Sequence, residues 1–245
     1  MSWISGREAI ARAIRLDLNH PQVIYGRRLQ RYVRPGIRWL DVGCGYQILP
    51  DWALSQEAQR ELVKAVAMLA GIDVDQRIQD HPLLTHRVQG LGGSLPFRDN
   101  TFDLVTANMV VEHIDKPQNF LADIFRVLRP GGCFLFHTPN ILFWMIFLAS
   151  LVPDAVKKHI VWRLEQRRAA DVFPTHYTMN NPWRIERLAA GAGFEVEELI
   201  MVGSNRILER LGPIGWIEVF VQKGLSVFLR GRLNSNIIAV LKKGS

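Results

Sequence analysis

Ile37 to Gly45 read IRWLDVGCG, an apolar run that closes on an acid, Asp41, and a glycine-rich turn. A short apolar run bounded by glycines has the form of a strand buried on both faces of a sheet. The segments around it repeat the pattern. Residues 53–65 (ALSQEAQRELVKA) are helix formers, and VAMLAGIDVD (66–75) is a second apolar run ending in acids. TFDLVTANMVV (101–111) is a third. Pro117 to Leu128 then puts Phe120, Leu121, Ile124, Phe125 and Leu128 on one helical face, and Pro130-Gly131-Gly132 stops that helix before the strand CFLFHTP (133–139). Strands alternating with helices define parallel βαβ units, so the expected fold is α/β, with a mostly parallel, doubly wound sheet covered on both faces.

The last third changes rhythm. Asn181-Pro182 reads as the N-cap and first position of a helix that ends at Gly191-Ala192-Gly193. FEVEELIMVGS (194–204) and NIIAVLKK (236–243) read as strands with no short hairpin turn between them, which predicts an edge pair closing the sheet.

With 245 residues, 48% of them hydrophobic and 22% charged, the chain can bury one enzyme-sized core and is no disordered tail. It is read as a single domain: a helical N-terminal region (1–34), a core (35–140), an apolar and basic insertion (141–176), and the rest of the sheet (177–245) with a helical insertion at 205–234. The net charge of +7 is uneven, with +5 on residues 1–34, −4 on 35–156, +4 on 157–168, −3 on 169–204 and +5 on 205–245. A nucleic-acid binder is expected to be more uniformly basic. Cys44 and Cys133 sit in separate turns without CxxC spacing, the pattern of reduced thiols. The N-terminus lacks an apolar signal core, and the longest apolar run, Ile141 to Val152, is shorter than the roughly 20 residues a membrane span requires. A cytoplasmic protein is expected.

A glycine-rich turn after the first strand is where open α/β sheets bind nucleotide-like ligands. Glycine lets the ligand approach the backbone, and the next helix is expected to offer its N-terminal amides to an anionic group. Dinucleotides call for GxGxxG, whereas this chain has Gly43, Gly45 and then Ile48, with Asp41 two residues ahead. That favours a nucleoside without a pyrophosphate. The second strand ends in Gly71-Ile72-Asp73, where a carboxylate can accept both ribose hydroxyls; Asp75 competes for the role, but Asp73 closes the apolar run.

These segments resemble the class I S-adenosylmethionine-dependent methyltransferases, and within them the type 11 group that includes ubiquinone and menaquinone biosynthesis methyltransferases. The likeness rests on WLDVGCG, GIDVD, LPFRDNTFDLVTANMVVEHIDKP and FLADIFRVLRPGG followed by HTPN, in the family's order, and continues more weakly through RIERLAAGAGF to IIAVLKK. It implies a seven-stranded sheet with an antiparallel edge strand and S-adenosyl-L-methionine as cofactor. It also implies that Asp41, Gly43 and Gly45 line the methionine end, that Asp73 holds the ribose, that Val74 touches adenine, and that Asn108 meets the cofactor from the opposite side. The chain departs from the pattern at Gln47, in place of a third turn glycine, and at Leu91, in place of an acid that bonds adenine. Leu91 and Gly92 are therefore expected to contact adenine by backbone or packing.

A sulfonium is already a good methyl donor, so such a site works mainly by positioning, and a base is needed only where the acceptor must lose a proton. His113, His137 and His176 are the candidates; any one of them is more commonly a hydrogen-bonded framework residue. His113 follows Glu112 on the expected acceptor side and is the candidate catalytic residue. Glu112 and His113 alone do not make a metal site. The chain lacks the Asn/Asp-Pro-Pro-aromatic and Pro-Cys patterns that DNA methyltransferases resemble, so a DNA substrate is disfavoured. In 215–230, Glu218, Gln222, Ser226 and Arg230 fall on one stripe beside Ile217, Val221, Leu225 and Phe228, an amphipathic helix with a basic end. Together with the apolar run after HTPN, this points to a small apolar or lipid-linked acceptor and to an anionic membrane surface as a partner, on the inner face of the membrane. Closing the acceptor pocket or making a dimer contact would use the same apolar face. The two competing functions are a nicotinamide-dependent oxidoreductase, against which the missing GxGxxG counts, and a non-catalytic cofactor-binding partner protein.

Overall fold

The computed structural model describes residues 20–90, 94–143, 173–203 and 232–245. Along the chain run α1 (Pro21–Tyr32), β1 (Arg38–Val42), α2 (Gln56–Ala65), β2 (Met68–Asp73), β3 (His86–Gln89), β4 (Phe102–Asn108), α3 (Pro117–Val127), β5 (Leu128–Pro139), α4 (Pro182–Gly191), β6 (Phe194–Val202) and β7 (Asn236–Lys243). Two 3-10 turns, Gln76–Asp80 and Val111–His113, follow β2 and β4. The strands form one sheet in the order β3-β2-β1-β4-β5-β7-β6. β1 to β5 pair in parallel, and β7 runs antiparallel to both β5 and β6, so the two late strands close the sheet as an edge pair.

Alternation along each strand sends side chains to two apolar layers. Trp39, Leu69, Leu104, Leu135 and Val240 face α1 residues Tyr25 and Leu29. Leu40, Val105, Phe134 and Leu241 face the opposite way, against Phe120, Leu121 and Ile124 of α3 and Ile185 and Ala189 of α4. This two-sided burial explains why the strands read as continuous apolar runs.

Three local readings change. β3 was not legible, because HRVQ is a four-residue, mostly exposed edge strand without an apolar pattern. The Pro130-Gly131-Gly132 triplet lies inside β5 as an irregularity opposite Phe102 and Leu104, where Gly131 takes φ +76. Helix α2 starts at Gln56 under a Ser55 cap, three residues into the 53–65 run of helix formers. Pro50 disfavours helix at Leu49, and buried Gln59 holds the intervening loop by donating from Nε2 to the carbonyls of Leu49 (2.9 Å) and Leu54 (2.7 Å). The expected helix N-terminus is thus set back from the turn.

On either side of the β1–β4 junction the connections leave in opposite directions. That switch point opens a crevice at the carboxyl ends of the strands. Leu91, Gly92, the 215–230 helix and most of 141–176 lie outside the described residues.

Candidate active site

The turn after β1 is shaped by two glycines in left-handed backbone, Gly43 at φ +67 and Gly45 at φ +54. The Gly43 amide donates to the Ile72 carbonyl at 2.7 Å, which locks the turn onto β2. A Cβ on Gly43 would lie 2.3 Å from Val110 Cγ2, whereas one on Gly45 would meet nothing within 4 Å. So Gly43 serves close packing, and Gly45 leaves open space above the turn.

Asp73 joins this turn to the end of β2. Its Oδ2 accepts the Gly45 amide at 2.7 Å and its Oδ1 accepts the Asp75 amide at 2.8 Å. Each carboxylate oxygen keeps a second acceptor site, as two adjacent ribose hydroxyls require. Asp75 is differently occupied. It caps the following 3-10 turn and accepts from Arg77 Nε at 2.7 Å, which holds its carboxyl below the usual range. The half-buried Asp73 and the exposed Val74, 39% accessible, suit a nucleoside: a carboxylate for the sugar beside an apolar face for the base.

Beneath the turn, Asp41 is 4% exposed and accepts the Thr106 hydroxyl at 2.6 Å; Thr106 in turn accepts Trp39 Nε1 at 2.7 Å. Burial pushes the Asp41 carboxyl up to about 7, with the Asp73 charge adding to the rise and the Thr106 bond opposing it. Asp41 therefore lies buried below the turn rather than on the crevice surface. Asn108, at the end of β4, donates from Nδ2 to Gln22 Oε1 of α1 (2.9 Å) and meets His137 Nδ1 through Oδ1 (2.9 Å). His137 is buried with its second nitrogen 3.1 Å from Asn236 Oδ1, and burial pushes its pKa down to about 4. It is a framework residue held from both ring nitrogens.

The side of the crevice expected to face the acceptor is assembled at the Val111–His113 turn. His113 Nδ1 lies 2.8 Å from the Pro174 carbonyl oxygen, and Phe173 meets the ring edge-on at 6.1 Å between centroids. A carbonyl oxygen only accepts, so in the neutral ring Nδ1 carries the hydrogen and Nε2 keeps its lone pair. Glu112 is buried, takes the Thr138 hydroxyl on Oε2 at 2.9 Å, and accepts the His176 (2.8 Å) and Tyr177 (3.1 Å) amides on its main-chain oxygen. Met109, which opens this region, sits at φ +58, a strained value for an unbranched, bulky side chain.

A cavity of about 280 Å³ joins the two sides. Gly43, Asp73, Val74 and Gly90 line one side of it; Met109, Val110, His113, Ile114, Phe173 and His176 line the other. Of the residues singled out from the sequence, the cavity gathers Gly43, Asp73, Val74, His113 and His176 directly, and Gly45 through Asp73. Asp41 and Asn108 lie below and beside it. Met109, Phe173, Pro174 and the Glu112–Thr138 pair were missed; only the adjacency of Glu112 to His113 hinted at them. A larger groove of about 580 Å³ runs past Tyr46, Asp51, Arg60, Arg77 and Asp80, where two acids and two arginines leave no preference for an anion.

Sheet order, switch-point crevice and a carboxylate-closed second strand define an open α/β domain that binds a nucleoside. Residues 19–199 match the family model of a methyltransferase domain, and the chain belongs to that family, the S-adenosylmethionine-dependent methyltransferases. It is 30% identical over 207 residues to a demethylmenaquinone methyltransferase of Symbiobacterium thermophilum, covering 73% of this chain and 77% of that one. It is 33% identical over 117 residues to cycloartenol-C-24-methyltransferase 1 of Oryza sativa subsp. japonica, covering 43% of this chain and 31% of the rice protein. The chain spans about half the length of several further curated relatives that it matches. A crystal structure of an S-adenosylmethionine-dependent methyltransferase from Mesorhizobium loti shares the fold at TM-score 0.56 and 12% identity, covering 89% of this chain and 96% of that one.

Proposed function

We propose that this chain is one methyltransferase domain that acts on a small apolar, lipid-like molecule and transfers the methyl group to an acceptor oxygen. The observation that carries this reading is the acceptor side of the cavity: apolar Met109, Val110, Ile114 and Phe173 surround His113, whose Nδ1 is committed to the Pro174 carbonyl. When bound, S-adenosylmethionine supplies a methyl group on a sulfonium, which passes in line to a nucleophile and leaves S-adenosylhomocysteine. Asp73 holds the ribose and Val74 lies against the base. Gly43 and Gly45 admit the amino-acid end, supported from below by Asp41. Asn108 fixes the end of β4. His113 Nε2 takes the acceptor hydroxyl proton as the oxygen–methyl bond forms, and the apolar wall excludes water that would compete. The names of the relatives, a demethylated menaquinone and a sterol, agree with an apolar acceptor.

Membrane association belongs to the same reading. No helix among the described residues is long and apolar enough to cross a membrane. The basic N-terminal stretch is partly spent internally, since Arg28 and Arg31 pair with Glu198 of β6 at 3.4 and 2.9 Å. Arg232 likewise pairs with Glu186 and Lys242 with Glu197, and Lys243 donates to the Phe125 and Leu128 carbonyls, so the cations offered to an anionic surface on the inner face are those of 157–168 and the remaining basic residues of 1–34 and 205–230.

Thermal shift with S-adenosylhomocysteine, S-adenosylmethionine and NAD tests the cofactor. A shift with the first two is expected, and one with NAD alone would overturn the reading. Asp73→Ala should abolish the homocysteine shift. With an isoprenoid-tailed catechol as probe acceptor, His113→Gln should lower kcat by about 10²–10⁴ and leave the homocysteine shift intact; unchanged turnover rules out the base. Co-sedimentation with anionic liposomes at low salt is expected, and its absence there excludes the surface partner.

A further inference from the structure

We propose that Glu112 is the positioning residue for His113, acting through a three-step tie that runs from β5 to the histidine ring. This rests on the reading of His113 as the base. In the first step the Glu112 carboxylate accepts the Thr138 hydroxyl at 2.9 Å, fastening the Val111–His113 turn to the end of β5. Thr138 is itself oriented by Asn180 Nδ2, which donates to its oxygen at 2.6 Å. In the second step the Glu112 main-chain oxygen accepts the amides of His176 and Tyr177, fastening the 173–177 segment to the turn. In the third, the Pro174 carbonyl of that segment takes His113 Nδ1 at 2.8 Å and selects which nitrogen carries the hydrogen. One residue thus holds both the backbone that carries His113 and the backbone that orients it.

The cluster is costly, which sets it apart from packing. Glu112 is 4% exposed, and its carboxyl is met by the Thr138 hydroxyl; burial lifts it to about 7. Asn180 is fully buried, and its Oδ1 lacks a hydrogen-bond partner among the described residues. Buried polar groups left partly satisfied oppose folding, and apolar residues of the same size would fill the space at less cost. Carbonyl and hydroxyl geometry, unlike an apolar contact, fixes direction. Direction is what a base with one working nitrogen requires.

The test reads His113 itself, independently of turnover, by long-range proton–nitrogen NMR of the histidine rings, with His113→Gln assigning the signal. The full chain should show His113 as a single Nδ1–H tautomer. Glu112→Ala should collapse that pattern toward a tautomer average and lower kcat at least tenfold with little change in KM, while S-adenosylhomocysteine still raises the melting temperature. Glu112→Gln, which keeps an acceptor for Thr138, should restore the single tautomer. An unchanged His113 spectrum in Glu112→Ala overturns the proposal. Should that variant fail to fold, Thr138→Val decides in the same way: a mixed tautomer supports the tie and an unchanged one overturns it. Full activity in His113→Gln would instead remove the base reading, whatever the tautomer pattern does.

Discussion

The cleft has two sides, and they are held in contrasting ways. On the cofactor side, the bond that closes the site joins Gly45 to Asp73, 28 residues apart, and runs through a main-chain amide at the end of one βαβ unit. On the acceptor side, His113 is oriented by a carbonyl 61 residues away, and Thr138 meets Asn180 across 42. The first side rests on backbone conformation that a glycine motif encodes locally. The second rests on buried side-chain polarity that exists only after distant segments meet. Substitution should therefore damage the cofactor side through sterics and the acceptor side through electrostatics and orientation.

The steepest test of that contrast is the glycine pair. Gly43→Ala adds left-handed strain and a contact 2.3 Å from Val110 Cγ2, which should cost about 2–5 kcal/mol in denaturant titration and abolish the homocysteine shift. Gly45→Ala adds only strain, about 1–2 kcal/mol. Equal losses would mean that packing against Val110 does not govern the turn.

Next is the pH dependence of the acceptor side. The folded Glu112 carboxyl stands at about 7 against an ordinary 4.5, so it binds a proton in the native state over a range where the unfolded chain has lost it. Its stabilising share is complete below pH 4.5 and is lost as pH rises through 7. Glu112→Gln should remove that loss and gain on the order of 3 kcal/mol relative to the native chain between pH 4.5 and 8. His137 has the opposite sign. Its folded value of about 4 against 6.5 makes its share complete above pH 6.5 and lost as pH falls through 4. A Glu112→Gln stability curve parallel to that of the native chain would contradict the buried-carboxyl account.

Thr106→Val should cost about 1–3 kcal/mol, because it leaves buried Asp41 and Trp39 Nε1 without their shared partner. The smallest effect is expected at Met109, where Gly relieves the strain of φ +58 but adds unfolded-state freedom. The two nearly cancel, leaving stability within about 1 kcal/mol, while the KM for the catechol probe rises as the apolar wall recedes.

Much of the fold was legible because two-sided burial writes apolar runs into β1, β2, β4 and β5, and a capping Asn181-Pro182 pair announces α4. The short edge strand β3 carries no such pattern, and the loop that precedes α2 is held by Gln59 gripping the Leu49 and Leu54 carbonyls, which propensity cannot foresee. In the site, Gly43, Gly45 and Asp73 stood out since their chemistry needs those residue types at strand ends. Position after the third apolar run had set His113 ahead of the other two histidines, and burial separates them further: His137 is enclosed between two asparagines, while His113 and His176 reach the cavity.

From its sequence alone the protein was committed to a doubly wound sheet, a nucleoside cleft at the first glycine turn and membership of a methyltransferase family. Periodicity, glycine placement and strand-end acids are local properties that act over a few residues. Only the tertiary structure decided which nitrogen of His113 faces the Pro174 carbonyl, that Asp41 is buried beneath the turn, and that Glu112, Thr138 and Asn180 share one buried network. Those outcomes follow from desolvation and hydrogen-bond direction between segments far apart in the chain, which have no meaning until the chain has folded.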